Sequence, residues 1–176
     1  MRIDCHVHVV GNGTGGTGCW YRPRGVTKYG APFMLRSVGL PPSALKGDLD
    51  RIYAAQILRF VREAWIDAAV ILAQDEPYRA DGTRIPNAGS FYVPNDFVLR
   101  LAREHREFLP AISIHPARRD ALDELERCLA AGAVIANAFD DSEMPLADKR
   151  LELPAYGVAG IRFSPMPIRT AKGKAR

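Results

Sequence analysis

The chain has 176 residues, enough for one domain with a substantial core, and its 47% hydrophobic and 25% charged content is ordinary for a globular protein. No apolar run approaches the roughly 18 residues of a membrane span, and no basic segment followed by an apolar stretch and cleavage site marks a secretory leader. A cytoplasmic location with no membrane partner is therefore expected. The net charge of +4 is uneven: residues 1–152 carry all 20 acids and balance at −1, while the remainder carries five bases and no acid. That basic tail lacks aromatic interleaving or a nucleic-acid motif, so nucleic acid is not an expected partner. Cys5, Cys19 and Cys128 are odd in number and widely spaced. They suit a reducing compartment rather than a disulfide framework, and no Cys-x-x-Cys supports a thiolate zinc site.

In chain order, the first element is a β-rich run, Met1 to Val10, containing Asp4-Cys5-His6-Val7-His8. Alternate residues of a strand share a face, so Asp4, His6 and His8 are expected to project together. Two imidazoles on one face can each give a nitrogen to one divalent metal, with Asp4 orienting a ligand or joining the shell. The competing reading is two histidines at a strand mouth that hydrogen-bond to neighbours. The glycine-rich stretch Gly11 to Gly18 follows. It reads as a flexible, solvent-facing turn, since it lacks the Gly-Lys-Ser/Thr ending of a phosphate loop. Residues 11–47 read as one long loop over the strand end, with Trp20, Tyr21, Tyr29 and Phe33 as packing or lid residues.

A helix is expected from Asp48 or Asp50 to about Ala64, on the recurrence of Leu49, Ile52, Tyr53, Ile57, Phe60 and Val61. Ala68 to Ala73 is a continuous apolar run, as in a strand buried on both faces, and it ends in Gln74 and Asp75. Residues 77–93 read as a second long loop. A helix from Asn95 to about Glu107 and a strand Leu109 to Pro116 come next, with Ala111, Ser113 and His115 on one face. A helix from about Asp120 to Ala131 is expected to bury Leu122, Leu125 and Leu129, with Gly132 as its cap. A fourth strand runs from Ala133 to about Ala138. The β-α-β-α-β-α-β order predicts an α/β fold with parallel strands. It gathers His6, His8, Gln74, Asp75 and His115 on one rim. Ser113 and His115 share a strand, so they make no nucleophile elbow. Cys5 is expected to point away from the histidines, which leaves a Cys/His pair unsupported.

Ile3-Asp4-Cys5-His6-Val7-His8, the large first loop and the strand ends Ala-Gln-Asp and Ser-Ile-His-Pro resemble the amidohydrolase superfamily. More narrowly, residues 1–135 resemble its amidohydrolase-related group of metal-dependent hydrolases and decarboxylases. The resemblance implies a (β/α)8 barrel, a small-molecule substrate, and a divalent metal, zinc first, held by His6 and His8. It also implies His115 as a substrate contact. The family draws two more histidines and an aspartate from later strands, but no histidine follows His115 here. About four βα units are present where the barrel has eight. The expectation is thus a partial barrel over 1–135 and an irregular basic tail over 136–176, with the coding frame lost near Ile135. Residues 158–163 are the only short strand expected in that tail. The catalytic base and remaining ligands would lie outside the chain, leaving it weakly active or inactive alone. Two alternatives stand beside this: a non-enzymatic or metal-binding oligomeric fragment, with homo-oligomers through exposed sheet edges, and a His-x-His phosphoesterase-type metallohydrolase.

Overall fold

A computed structural model of the protein describes residues 1–25, 27–85, 88–138 and 161–163. The elements in order are β1 (Ile3–His8), β2 (Trp20–Tyr21), α1 (Thr27–Ser37), a 3-10 helix (Pro42–Lys46), α2 (Leu49–Glu63), β3 (Ala68–Leu72) and β4 (Phe91–Tyr92). They continue with α3 (Asn95–Glu104), β5 (Phe108–Ser113), α4 (Ala121–Ala130), β6 (Ile135–Ala138) and β7 (Ile161–Phe163). The fold is mixed α/β. Strands β1, β3, β5 and β6 lie side by side in that order, all parallel, and β7 adds parallel to β6. The chain therefore steps one way across the sheet without reversing. β6 spans the boundary expected at residue 135, and β7 falls inside the short strand expected in the tail; the rest of that tail, 139–160 and 164–176, lies outside the described residues.

The core divides by sheet face. Ala69, Ile71 and Ala73 of the β3 segment pack with Tyr53, Ile57 and Val61 of α2 and Phe97 and Val98 of α3. Ile112 and Ala136 pack with Leu125 and Cys128 of α4. The intervening strand residues Val70, Leu72 and Ala111 form a separate apolar strip with Ile3, Leu109 and Ile135, and no helix contributes to it. Period-two alternation thus sends one set of side chains to the helices and the other to the opposite face. Every residue of β3 is buried, as its unbroken apolar run requires.

Helix α2 begins where its sequence predicts. The Asp48 carboxylate accepts a hydrogen bond from the Arg51 backbone N–H, and Asp50 turns inward instead. Asp50 is 1% exposed, and its carboxylate accepts from the N–H groups of Asn12 and Gly13 and from the Thr17 hydroxyl. The glycine-rich stretch is therefore not a free turn: it is wrapped around a buried carboxylate. A Cβ on Gly11 would meet Asp50 Oδ1 and Cys19 Cβ, which is why the backbone can pass so close only as glycine.

Four other expectations are corrected. Residues 11–47 are not one loop, since they hold β2, α1 and the 3-10 helix. Tyr29 and Phe33 are 72% and 74% exposed on α1, against the packing half of the packing-or-lid expectation; among the described side chains of α1, only Ala31 and Leu35 are buried. Residues 77–93 contain β4, which pairs antiparallel with β2. On α4 Leu125 is buried as expected, but Ala121 and Cys128 are buried beside it, while Leu122 stands 40% exposed and Leu129 is only partly buried. Gly132 does end α4 with φ +98°, its N–H donating to the Leu129 carbonyl. No helix among the described residues is long and apolar enough to cross a membrane.

Candidate metal centre

His6 and His8 stand at the carboxyl end of β1, the terminal strand of the sheet order. His8 lies opposite Leu72, which belongs to the apolar strip on the helix-free face. The two imidazole rings are 4.6 Å apart between centroids and nearly perpendicular, at 89°. His6 is exposed and His8 half-buried, with Phe91 of β4 edge-on to the His8 ring at 6.2 Å. Two imidazoles bound to one tetrahedral ion at the usual metal–nitrogen length have centroids about 5 Å apart. The observed centroid separation is close to that distance.

Asp4 does not join them. The register shifts between Asp4 and Val7, so Asp4 lies opposite Ala69 whereas His8 lies opposite Leu72. Ala69 faces the helices and Leu72 faces away. An extra residue in a strand breaks period-two alternation, and the expected shared face of Asp4, His6 and His8 is lost with it. The Asp4 carboxylate accepts a hydrogen bond from the His6 backbone N–H at 3.1 Å. Among the described residues, no group of three or more His, Cys, Asp or Glu side chains is placed to hold a metal ion.

The other rim residues form a separate network. Asp75, its side chain 3% exposed, accepts from the His115 N–H at 3.0 Å, from Arg118 Nη1 at 3.0 Å and from the Glu76 N–H at 2.8 Å. His115 is 1% exposed, and its Nδ1 accepts from the Ala117 N–H at 3.1 Å, so a neutral ring carries its proton on Nε2. Its ring lies against Tyr78 at 5.4 Å. Ser113 receives the Asp75 N–H on its hydroxyl and donates its own N–H to the Asn95 side chain. Asn95 thus starts α3 without capping it: it ties the helix to the end of β5, and through Nδ2 to Glu124 at 2.7 Å on α4. Gln74 pairs through its backbone with Val93.

A polar cleft of about 380 Å³ opens between these groups, lined among others by Asp75, Tyr92, Asn95, Ser113, Arg118 and Glu124. The hydrogen-bonded carboxylate of Asp120, with that of Asp75, holds the Arg118 guanidinium firmly charged. The same guanidinium keeps the Asp120 carboxyl below its usual range. Burial, with the Asp75 charge second, pushes the Tyr92 phenol up to about 12. Phe91 meets His8 while the next residue, Tyr92, lines the cleft, so β4 separates the histidine pair from this network. Sequence reasoning placed Asp75 and His115 on the rim and Ser113 on the His115 face of its strand, but missed Arg118, Asn95 and Glu124 as members of this network. The bonds that draw them into this network, Asn95 to Ser113 and Glu124 and Arg118 to Asp75, span 18 to 43 residues, and no local pattern marks them. The chain matched no protein-family model, no curated protein and no solved structure in comparisons with known proteins.

Proposed function

We propose that the chain carries the first-strand half of an amidohydrolase-type metal centre, with His6 and His8 as nitrogen ligands to a divalent ion, zinc first. The observation that carries this is the perpendicular imidazole pair, 4.6 Å apart at the carboxyl end of β1. A one-way parallel order and helices confined to one face support a partial (β/α)8 barrel of about four units, because a closed barrel is built by repeating that step. Catalytic residues of such barrels lie at strand carboxyl ends, where both histidines sit. When bound, the ion would activate a water or polarise a substrate carbonyl. In this reading the chain's residues bind and orient: His6 and His8 give neutral ring nitrogens, and Phe91 packs perpendicular to the His8 ring. His115 stays a substrate-contact candidate at the rim, and the substrate is a small molecule.

Titration of Zn²⁺ into the full chain near neutral pH, followed by calorimetry, tests the ligand assignment. Binding is expected, with at least a tenfold loss of affinity in His6→Ala and in His8→Ala. Equal affinity in all three proteins would refute it. Weak or no hydrolysis of carbon–nitrogen or carboxylate substrates above the metal-free rate is expected of the chain alone. Phosphodiester hydrolysis without it would favour the phosphoesterase alternative. A second reading, a metal-binding fragment without turnover, is favoured by the two donors found among the described residues, since catalytic zinc usually has three protein ligands.

A further inference from the structure

We propose that the polar cleft beside β4 is a binding site in its own right, for a neutral polyhydroxyl compound of about monosaccharide size, with the hydroxyls of Tyr92 and Ser113 as donors to it. The inference is independent of the reading of His6 and His8, since β4 stands between that pair and the cleft. The cleft holds about 380 Å³, within the range of pockets that enclose small molecules. Two hydroxyls of its lining are unspent. Ser113 is 1% exposed; its oxygen accepts the Asp75 N–H, and its own proton has no acceptor among the described residues. Tyr92 is half-buried, and its hydroxyl has no hydrogen-bond partner among them either. Trp20 stacks on the Tyr92 ring at 6.1 Å and fixes its direction. With its pKa pushed up to about 12, the phenol keeps its proton at neutral pH and remains a donor. A hydroxyl withdrawn from water without a partner costs free energy, and a ligand oxygen that accepts its proton removes that cost.

The charged groups of the lining are paired with one another, Arg118 with Asp75 and Arg127 with Glu124 and Asp96. An anion beside either guanidinium meets the carboxylate already paired with it, and a cation beside either carboxylate meets the guanidinium. A net charge of either sign therefore gains little. A neutral hydroxyl meets no such opposition, and each one both donates and accepts. The lining offers both roles: Arg118 commits three of its five N–H groups, to Asp75 and Asp120, and Glu124 Oε2 accepts a single bond. Val93 and Pro94 add apolar surface for the carbon-bound hydrogens of the ligand.

Saturation-transfer NMR of the full chain, titrated with glucose, xylose, myo-inositol and mannitol, tests this, with sodium acetate and ethylammonium chloride as charged probes at matched ionic strength. Saturable binding of at least one of the four polyols in the millimolar range is expected, with weaker binding of both charged probes. Tyr92→Phe should bind that polyol about fivefold more weakly, the loss of one hydrogen bond. Its urea midpoint should match that of the parent, because the hydroxyl it removes has no partner in the described chain. Tyr29→Phe, which alters a phenol exposed on α1, should leave polyol binding unchanged. Acetate or ethylammonium binding as tightly as the polyols would overturn the neutral ligand. Equal polyol affinity in Tyr92→Phe, a lowered urea midpoint in that variant, or no saturable binding of any of the four polyols would overturn the site. None of these outcomes bears on zinc binding by His6 and His8.

Discussion

Asp50→Ala removes the group around which the segment between β1 and β2 is folded. The carboxylate is 1% exposed and accepts two backbone N–H groups and one hydroxyl. Hydrogen bonds to a charged group contribute about 1.5–3 kcal/mol each, but the outer part of the loop is exposed, so water can reach some of the freed donors. The expected net loss is about 3–5 kcal/mol, a large share of the ~5–15 kcal/mol that holds a domain of this size. Thr17→Val removes the hydroxyl that donates to Asp50 and accepts from the Cys19 N–H, and should cost about 2 kcal/mol. Urea denaturation of the parent, both single variants and the double variant gives a cycle. Because the Thr17–Asp50 bond is lost in both single variants while the Cys19 N–H loses its acceptor only with Thr17, the double variant should be less destabilised than the sum of the two by at least about 0.5 kcal/mol. A loss under about 1 kcal/mol for Asp50→Ala, or full additivity in the double variant, would refute the view that this carboxylate organises the loop.

On α4, Leu125→Ala should cost about 2–5 kcal/mol because the side chain is 1% exposed, while Leu122→Ala should stay within about 0.5 kcal/mol; equal losses in chemical denaturation would place the buried stripe wrongly. Acid should destabilise the α3–α4 face. Hydrogen bonds from Arg118 lower the Asp120 carboxyl, and at Glu124 the opposing effect of burial is outweighed by hydrogen bonds from Arg127 and Asn95. Both folded-state values lie below the unfolded ones, so their stabilisation is present above about pH 4 and lost as pH falls through the lower folded values. Thermal unfolding should show a falling limb below about pH 4 that becomes shallower in Arg127→Met; an unchanged limb would remove Arg127 as its cause.

The elements that sequence alone could place are those whose burial is repetitive. β3 is buried on both faces and reads as an unbroken apolar run, and α2 buries a stripe from Leu49 to Val61 behind a capping aspartate. α1 escaped because Gly30 and Pro32 interrupt it and only Ala31 and Leu35 are buried. β2 and β4 are two residues each and exist through each other, across about seventy residues of chain. Leu122 was misplaced because leucine dominates any count of apolar positions, whereas the stripe in contact runs through Ala121 and Cys128. Asp4 was misplaced because period-two reasoning assumes an unbroken register, and the irregularity after it leaves no local trace in the sequence.

The histidine pair was legible for the opposite reason. Its two members are separated by one residue, and even an irregular strand brings such neighbours to 4.6 Å. In the proposed reading of His6 and His8 as ligands, the remaining donors come from elsewhere in the chain or from a second copy. The source of the missing donors fixes how metal loading depends on protein concentration. Donors from the same chain give one affinity at every dilution. Donors from a second copy make loading a linked association, so the apparent zinc affinity falls as the chain is diluted below its dimerisation constant. Zinc titrations at two protein concentrations a hundredfold apart therefore distinguish the sources by mass action alone. A midpoint that does not move on dilution assigns the donors to the single chain, and one that moves assigns them to the pair.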